Sequence, residues 1–319
     1  MATAEQLKSL IRTHLSDDRE RFYSLALQVA AHEARQGHGQ LAQDIRQIVD
    51  GARKSHSNAL LRFPVEMAGM VHSAEGDTPL SALVVPDAPM ASIRRIITEY
   101  RQQAKLRSHG LRNRRKILLT GPSGTGKTMT ARVLANELRL PLHTIQVDRL
   151  VTKFMGETSA KLRQIFDRIG ESLGVYLFDE FDALGGDRML DNDVGEMRRV
   201  LNSLLQFMEH DDSDSMVVAA TNSPQLLDPA LFRRFDDVLT YDLPDPASAR
   251  RLMENVLGSF RGRVSWKMTL EACHGMSHAE IDSACCDAIK SAILSDASKV
   301  SSALLVSTLR EKRDKYPTR

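Results

Sequence analysis

Cysteine is scarce in this chain of 319 residues. Cys273, Cys285 and Cys286 make neither a disulfide framework nor a CxxC pair, which implies a reducing, cytoplasmic setting. Charge of one sign is lacking too. The 43 Lys plus Arg stand against 41 Asp plus Glu, leaving +2, a balance that argues against a dedicated nucleic-acid binder. No apolar run approaches the roughly 18 residues of a membrane-spanning helix. The opening MATAEQLKSL is too polar for a signal peptide. Internal repeats and low-complexity tracts are missing. Two chemistries are also excluded. His32-Glu33-Ala34-Arg35-Gln36 begins like a zinc-protease helix, but Gln36 stands where the second histidine would be, and there is no G-x-S-x-G nucleophile elbow. Any proteolysis linked to this protein is expected to come from another chain. What is present, 42% hydrophobic and 26% charged residues, suits a globular protein with a sizeable core in about two domains.

Periodicity divides the chain. Leu7, Leu10, Ile11 and Leu15 keep helical spacing. Asp17 and Asp18 then cap a second helix carrying Phe22, Leu25 and Val29, which Gly37 and Gly39 stop. Leu41, Ile45, Ile48 and Val49 mark a third. Residues 1–54 are thus predicted to form an all-α module, either a bundle packing on its neighbour or an adaptor for a partner. Residues 55–79, with scattered Gly, Ser and His and weak periodicity, read as a linker. From Leu80 strands and helices alternate. Strands are expected at Ile117–Thr120, Leu142–Val147, Val175–Phe178 and Met216–Ala220, and helices near 128–138, 159–169 and 196–208. This alternation predicts an α/β unit over 80–244, a parallel sheet with helices on both faces. After Pro244 only helical patterns remain, Ala247–Leu257 and His278–Leu294 among them, so 245–319 is expected to be a helical subdomain. Cys285 and Cys286 fall in the second of these helices as small core residues.

Gly121-Pro122-Ser123-Gly124-Thr125-Gly126-Lys127-Thr128 matches GxxxxGK[ST] in full, between a strand and a helix. Backbone N–H groups of such a loop form an anion nest, and the helix that follows adds its positive dipole end. Lys127 is expected to reach the β- and γ-phosphates of ATP. Thr128 is expected to coordinate Mg²⁺, with Pro122, Ser123, Gly124, Thr125, Gly126 and Met129 completing the site. The apolar run Val175-Tyr176-Leu177-Phe178 ends in Asp179 and Glu180. Asp179 suits water-mediated Mg²⁺ binding, and Glu180 is placed to act as general base on the attacking water. Val217-Val218-Ala219-Ala220-Thr221-Asn222 brings a polar strand tip, Asn222, towards the γ-phosphate or the lytic water. Leu227-Asp228-Pro229-Ala230-Leu231-Phe232-Arg233-Arg234-Phe235-Asp236 follows, with two arginines where an arginine finger would sit.

GPSGTGKT, YLFDEFDAL, VVAATN and LDPALFRRFDD, in this order and spacing, resemble the AAA clade of ATPases within the AAA+ superfamily, specifically a short single-ring bacterial-type member. The resemblance covers roughly Leu80 to Leu294 and leaves the first module unexplained. It implies a P-loop NTPase fold followed by a small helical lid subdomain. It also implies a ring, usually a hexamer, that remodels or unfolds proteins with ATP. Asn222 would be its first sensor, and Arg233 and Arg234 would act on ATP held by the neighbouring subunit. The two residues that the family often places between its arginines are missing here. Lys153-Phe154-Met155-Gly156 resembles the pore loop with which the clade grips a threaded polypeptide. Gly275-Met276-Ser277-His278-Ala279 resembles the lid turn that lies against the nucleotide at Ser277 and His278, with His278 in place of the usual small Gly. By analogy Leu83, Val84 and Val85 would wall the adenine pocket.

Nine Lys or Arg and one acid, Glu99, lie between Arg94 and Lys116. The run reads as a solvated face balanced by acids such as Asp211, Asp212 and Asp214; its alternative is a phosphate-binding face. Three functions compete. The first is an ATP-driven unfoldase acting on a protein substrate. The second is a regulatory ATPase partnered with a separately encoded peptidase or effector. The third is a DNA-handling ATPase, disfavoured by the charge balance.

Overall fold

The computed structural model describes residues 19–57, 69–150, 155–184 and 193–315. The first expected helix lies outside the described residues. The chain divides into two units, Met1–Arg62 and Phe63–Arg319.

In the first unit α1 (Arg19–Arg35) and α2 (Gly39–Ser57) pack on each other around Ala26 and Val49, with Leu27 and Ile45 against them. The turn between them places Gly37 at φ 89°, a conformation glycine adopts without steric cost. There His38 Nδ1 meets the buried Glu33 carboxylate at 2.6 Å.

The second unit is built on a six-stranded sheet. Its elements run β1 (Val71–Glu75), α3 (Asp87–Arg101), α4 (Gln103–Ser108), β2 (Lys116–Thr120), α5 (Lys127–Leu138) and β3 (Pro141–Gln146). They continue through α6 (Val147–Leu150), α7 (Met155–Glu171), β4 (Val175–Asp179), α8 (Asp193–His210), β5 (Met216–Thr221), α9 (Pro229–Phe232) and β6 (Asp237–Thr240). Four helices close the chain: α10 (Pro246–Leu257), α11 (Trp266–Ala272), α12 (His278–Leu294) and α13 (Ser302–Lys315).

Strand order is β1-β3-β4-β5-β2-β6, all parallel except β1, which runs antiparallel to β3 at one edge. The near-continuous apolar strands follow from burial on both faces. Leu118, Tyr176, Phe178, Val217 and Ala219 point into a layer closed by Leu162, Ile165 and Phe166 of α7 and Leu201 and Leu204 of α8. Their sequence neighbours Ile117, Leu119, Leu177, Val218 and Ala220 point the other way, against Ile93, Ile96 and Ile97 of α3 and Val133 and Leu134 of α5. The last four helices have their own core around Met253, Leu257, Ile281, Cys285, Leu305 and Leu309. Burial pushes the Cys285 thiol up to about 12, so it stays protonated and inert.

Two strands stand where none was expected. β1 lies inside the segment read as a linker, and β6 follows the arginine pair. Both sit at sheet edges, where half the surface faces solvent and the apolar signal fades. Of β1 only Val71 is buried, and Val238 of β6 is exposed.

Most of the basic run is ion-paired within its own unit. Arg95 pairs with Asp237 at 2.9 Å, Arg101 with Glu137 at 2.8 Å and Arg112 with Asp212 at 2.7 Å. Arg107 pairs with Asp214, Arg114 with Glu99, and the buried Arg115 with Asp211. Six of the nine cations are thus answered by acids, while Arg94, Lys105 and Lys116 enter no ion pair among the described residues.

Candidate nucleotide site

The carboxyl ends of parallel strands form the crevice in which open α/β sheets hold ligands. Here the loop after β2, the tips of β4 and β5, the turn ahead of α3, and helices α10 and α12 enclose a cavity of about 690 Å³.

Glycine is demanded at two positions of the loop. At Gly121 (φ 138°) a Cβ would stand 2.0 Å from the Tyr241 carbonyl oxygen, so β6 could not pass this close to any other residue. At Gly124 (φ 73°) it would meet Ser277 Oγ at 2.8 Å. The loop ends at Gly126, which caps α5 in the left-handed region without a side-chain hydrogen bond. The positive end of α5 therefore opens on the cavity.

Lys127 is buried, and its ammonium donates to the carbonyls of Gly121 and Pro122, both at 2.7 Å, and to Asn222 Oδ1 at 2.8 Å. Burial lowers its pKa, against the pull of Asp179 and Asp182. Thr128 Oγ1 donates to Asp179 Oδ2 at 3.2 Å, bringing together a hydroxyl and a carboxylate 51 residues apart. Asp182 Oδ1 accepts from Thr221 Oγ1 at 3.1 Å and from the Asn222 N–H at 3.3 Å, which ties the β5 tip to β4. Asp182, the third acid of the Asp-Glu-Phe-Asp run, went unread in the sequence because an acid in a short loop has many uses.

Glu180 is exposed at the end of β4 with φ 55°, unusual for a residue with a side chain. Burial first, then the negative charges of Asp148, Asp179 and Asp182, raise its pKa. Its carboxyl therefore holds a proton more tightly than an ordinary glutamate.

Most of the expected site residues converge on the cavity. Ser123 through Met129, Asp179, Glu180 and Asn222 line it on one side, Val84 and His278 on others. Pro122 and Ser277 do not; they border a neighbouring cavity of about 880 Å³ outside the loop. Leu83 joins Val84 in the apolar wall, but Val85 is turned into the core, its carbonyl accepting from Arg251 at 3.2 Å. Leu252, Asn255 and Val256 of α10 supply the facing wall. They went unseen in the sequence because periodicity marks an apolar face without saying what covers it. Ser277 caps α12 in a capping box with Glu280, and the Ala279 N–H donates to Gly124 O at 3.0 Å.

Neither arginine of the pair lines the cavity. Arg234 is ion-paired with Glu209 of its own chain, whereas Arg233 is exposed and enters no ion pair among the described residues. Lys153 and Phe154 lie outside the described residues, while Met155 and Gly156 open α7.

The donor set fits a nucleoside polyphosphate with a divalent cation. It offers an ammonium, an uncapped helix end and a glycine loop for phosphates, a hydroxyl with a carboxylate for the cation, and apolar walls for a base.

Comparison with known proteins agrees. Residues 117–243 match the model of the ATPase family associated with various cellular activities (AAA). An uncharacterized AAA family ATPase of Sinorhizobium fredii is 33% identical over 300 residues, covering 92% of this chain and 90% of the relative. An ATP-dependent zinc metalloprotease, FtsH 1 of Symbiobacterium thermophilum, is 36% identical over 204 residues. That match takes in 62% of this chain but only 34% of the protease. Among solved structures the AAA domain of FIGL-1 superposes with a TM-score of 0.62 at 23% identity, over 79% of this chain and 90% of that one. No helix among the described residues is long and apolar enough to cross a membrane.

Proposed function

The chain belongs to the AAA family of ATPases and hydrolyses ATP, and from that premise we propose that it works as a ring, a hexamer, that remodels or unfolds a protein substrate. The observation that carries the ring is the position of the arginines. Hydrolysis needs positive charge on the transferring phosphate beyond that of Lys127, and no arginine among the described residues lines the cavity of its own chain. Arg233, exposed and without an ion pair, is positioned to serve a neighbour. Arg234, held by Glu209, orients the segment.

Within one subunit Lys127 neutralises the β- and γ-phosphates, and Asn222, held by Asp182, orients the γ-phosphate or the water. Glu180 takes the proton of the attacking water. Thr128 and Asp179 would hold Mg²⁺, which supplies charge neutralisation between the phosphates. The lid, α10 to α13, contacts the nucleotide through His278 and through Leu252 and Val256, so that hydrolysis shifts the lid against the sheet. The loop at Lys153, Phe154, Met155 and Gly156 grips the substrate in the pore. A protein substrate suits both the resemblance to part of an ATP-dependent protease and the largely ion-paired basic run, which disfavours DNA. A separately encoded peptidase or effector as final recipient is a second reading, favoured by the match to only one third of FtsH 1.

Two outcomes test these roles. Lys127→Ala is expected to weaken nucleotide binding at least about a hundredfold, the loss of two charge-assisted hydrogen bonds of about 1.5–3 kcal/mol each. Titration with a fluorescent nucleotide measures this, and unchanged affinity would contradict the phosphate assignment. Phe154→Ala is expected to keep most basal ATP turnover while losing its stimulation by an unstructured protein such as casein. Full stimulation in that variant would remove the threading mechanism.

A further inference from the structure

Lys127 cannot by itself keep the phosphate loop in shape. Its ammonium has three donors, and all three are taken, by the carbonyls of Gly121 and Pro122 and by Asn222 Oδ1. Any bond from Lys127 to a phosphate oxygen therefore replaces one of these. Thr125 Oγ1 donates to Pro122 O at 2.8 Å, and the Ala279 N–H donates to Gly124 O at 3.0 Å, which steadies the middle of the loop. Both ends are reached by one residue, Tyr241, which directly follows β6 and is 1% exposed. At the first end the Tyr241 N–H donates to Thr120 O at 2.7 Å, and its carbonyl presses against Gly121. At the other end stands Thr130 of α5, fully buried, whose Oγ1 donates to the Gly126 carbonyl at 3.0 Å. That use of its proton makes the Tyr241 hydroxyl the donor in the 2.7 Å bond between the two side chains.

We propose, resting on the nucleotide reading of this cavity, that Tyr241 is a positioning residue for ATP binding: it holds Gly121 and Gly126, the two ends of the phosphate loop, at a fixed spacing before nucleotide arrives. Neither Tyr241 nor Thr130 lines the cavity, so their effect on binding travels through the loop. The chemistry of the pair supports this role. A buried hydroxyl is unfavourable unless it is bonded, and each of these two satisfies the other. For stability alone an apolar pair of the same shape serves about as well. What the hydroxyls add is a defined distance and direction between Tyr241 and the first turn of α5, which apolar contact does not impose. That turn carries Lys127 and Thr128, and its positive end opens on the cavity. A loop held in this way is competent in the empty protein, and apparent affinity scales with the competent fraction.

The test is stopped-flow binding of a fluorescent ADP analogue with Mg²⁺ to the full chain, with melting temperatures measured alongside. Tyr241→Phe removes one hydroxyl and leaves Thr130 Oγ1 without its donor. It is expected to melt lower and to associate about fivefold more slowly, the value of one net hydrogen bond, at an unchanged dissociation rate. Tyr241→Phe combined with Thr130→Val leaves no buried hydroxyl unmatched. That double variant is expected to melt close to the wild type and still to bind slowly. Affinity that recovers together with melting temperature would show a purely structural pair and overturn the proposal, as would wild-type association by a folded Tyr241→Phe. The double variant decides the matter where Tyr241→Phe alone fails to fold. Lys127→Ala separates the two readings. If it binds as well as the wild type, the nucleotide reading falls and the proposal with it; if it loses affinity while the Tyr241 variants do not, the proposal alone falls.

Discussion

Glu180→Gln is expected to bind ATP with near wild-type affinity while hydrolysing it about 10²–10⁴-fold more slowly, the usual contribution of a positioned general base. Glutamine preserves the size and one acceptor oxygen while removing the negative charge and the capacity to take a proton. Single-turnover hydrolysis checks the rate, and sedimentation in ATP checks that the assembled ring accumulates; wild-type turnover would remove the general-base role. The same variant, held in its ATP state, is the one to use for capturing substrate. The acid limb of wild-type turnover carries a second signature. Glu180 acts only when deprotonated, and burial together with Asp148, Asp179 and Asp182 raises its pKa. Activity should therefore fall with decreasing pH at values above the ordinary glutamate pKa of about 4.3. Asp148→Asn, which removes one of those charges without touching the phosphate loop, should move that limb to lower pH.

Arg233→Ala is expected to lose more, about 10³–10⁵ in turnover, the range an arginine finger supplies to phosphoryl transfer. Arg234→Ala should lose less, because Arg234 is ion-paired within its own chain and acts by holding the segment in place. Complementation separates a residue acting across an interface from one acting at its own site. Mixed with Lys127→Ala, the Arg233→Ala chain contributes intact cavities while its partner contributes intact arginines. Random mixing in a heterologous ring should then restore about a quarter of the interfaces. Co-purification of differently tagged chains confirms that mixed rings form. No recovery in such rings would count against arginines supplied in trans.

How much of this could be read from the sequence depends on how far apart the cooperating residues lie. The phosphate loop was legible because its conformation is set by adjacent residues. Glycines stand where a Cβ would collide, and an uncapped helix starts at once behind them. Of the four central strands β2, β4 and β5 were legible because burial on both faces leaves a near-continuous apolar run, whereas β3 mixes Leu142 and Ile145 with His143, Thr144 and Gln146. The edge strands β1 and β6 were not, since an edge half-exposed to solvent carries no such run. Val85, grouped with Leu83 and Val84 by adjacency, is turned into the core instead, a direction that depends on what packs around it and not on its place beside them.

The sequence by itself determined the phosphate loop, the acidic and polar strand tips, the α/β class and the near-neutral total charge of +2. Each of these is a property of consecutive residues or of composition. Only the tertiary structure decided that Thr128 meets Asp179 and that Lys127 meets Asn222, 95 residues away. It alone decided that six of the nine cations of the basic run are answered by acids, that Arg234 is held while Arg233 is left exposed, and that His278 is buried without a hydrogen-bond partner among the described residues. Hydrogen bonds and ion pairs depend on distances of a few ångströms, and separation along the chain does not fix those distances until the sheet has brought its strands together.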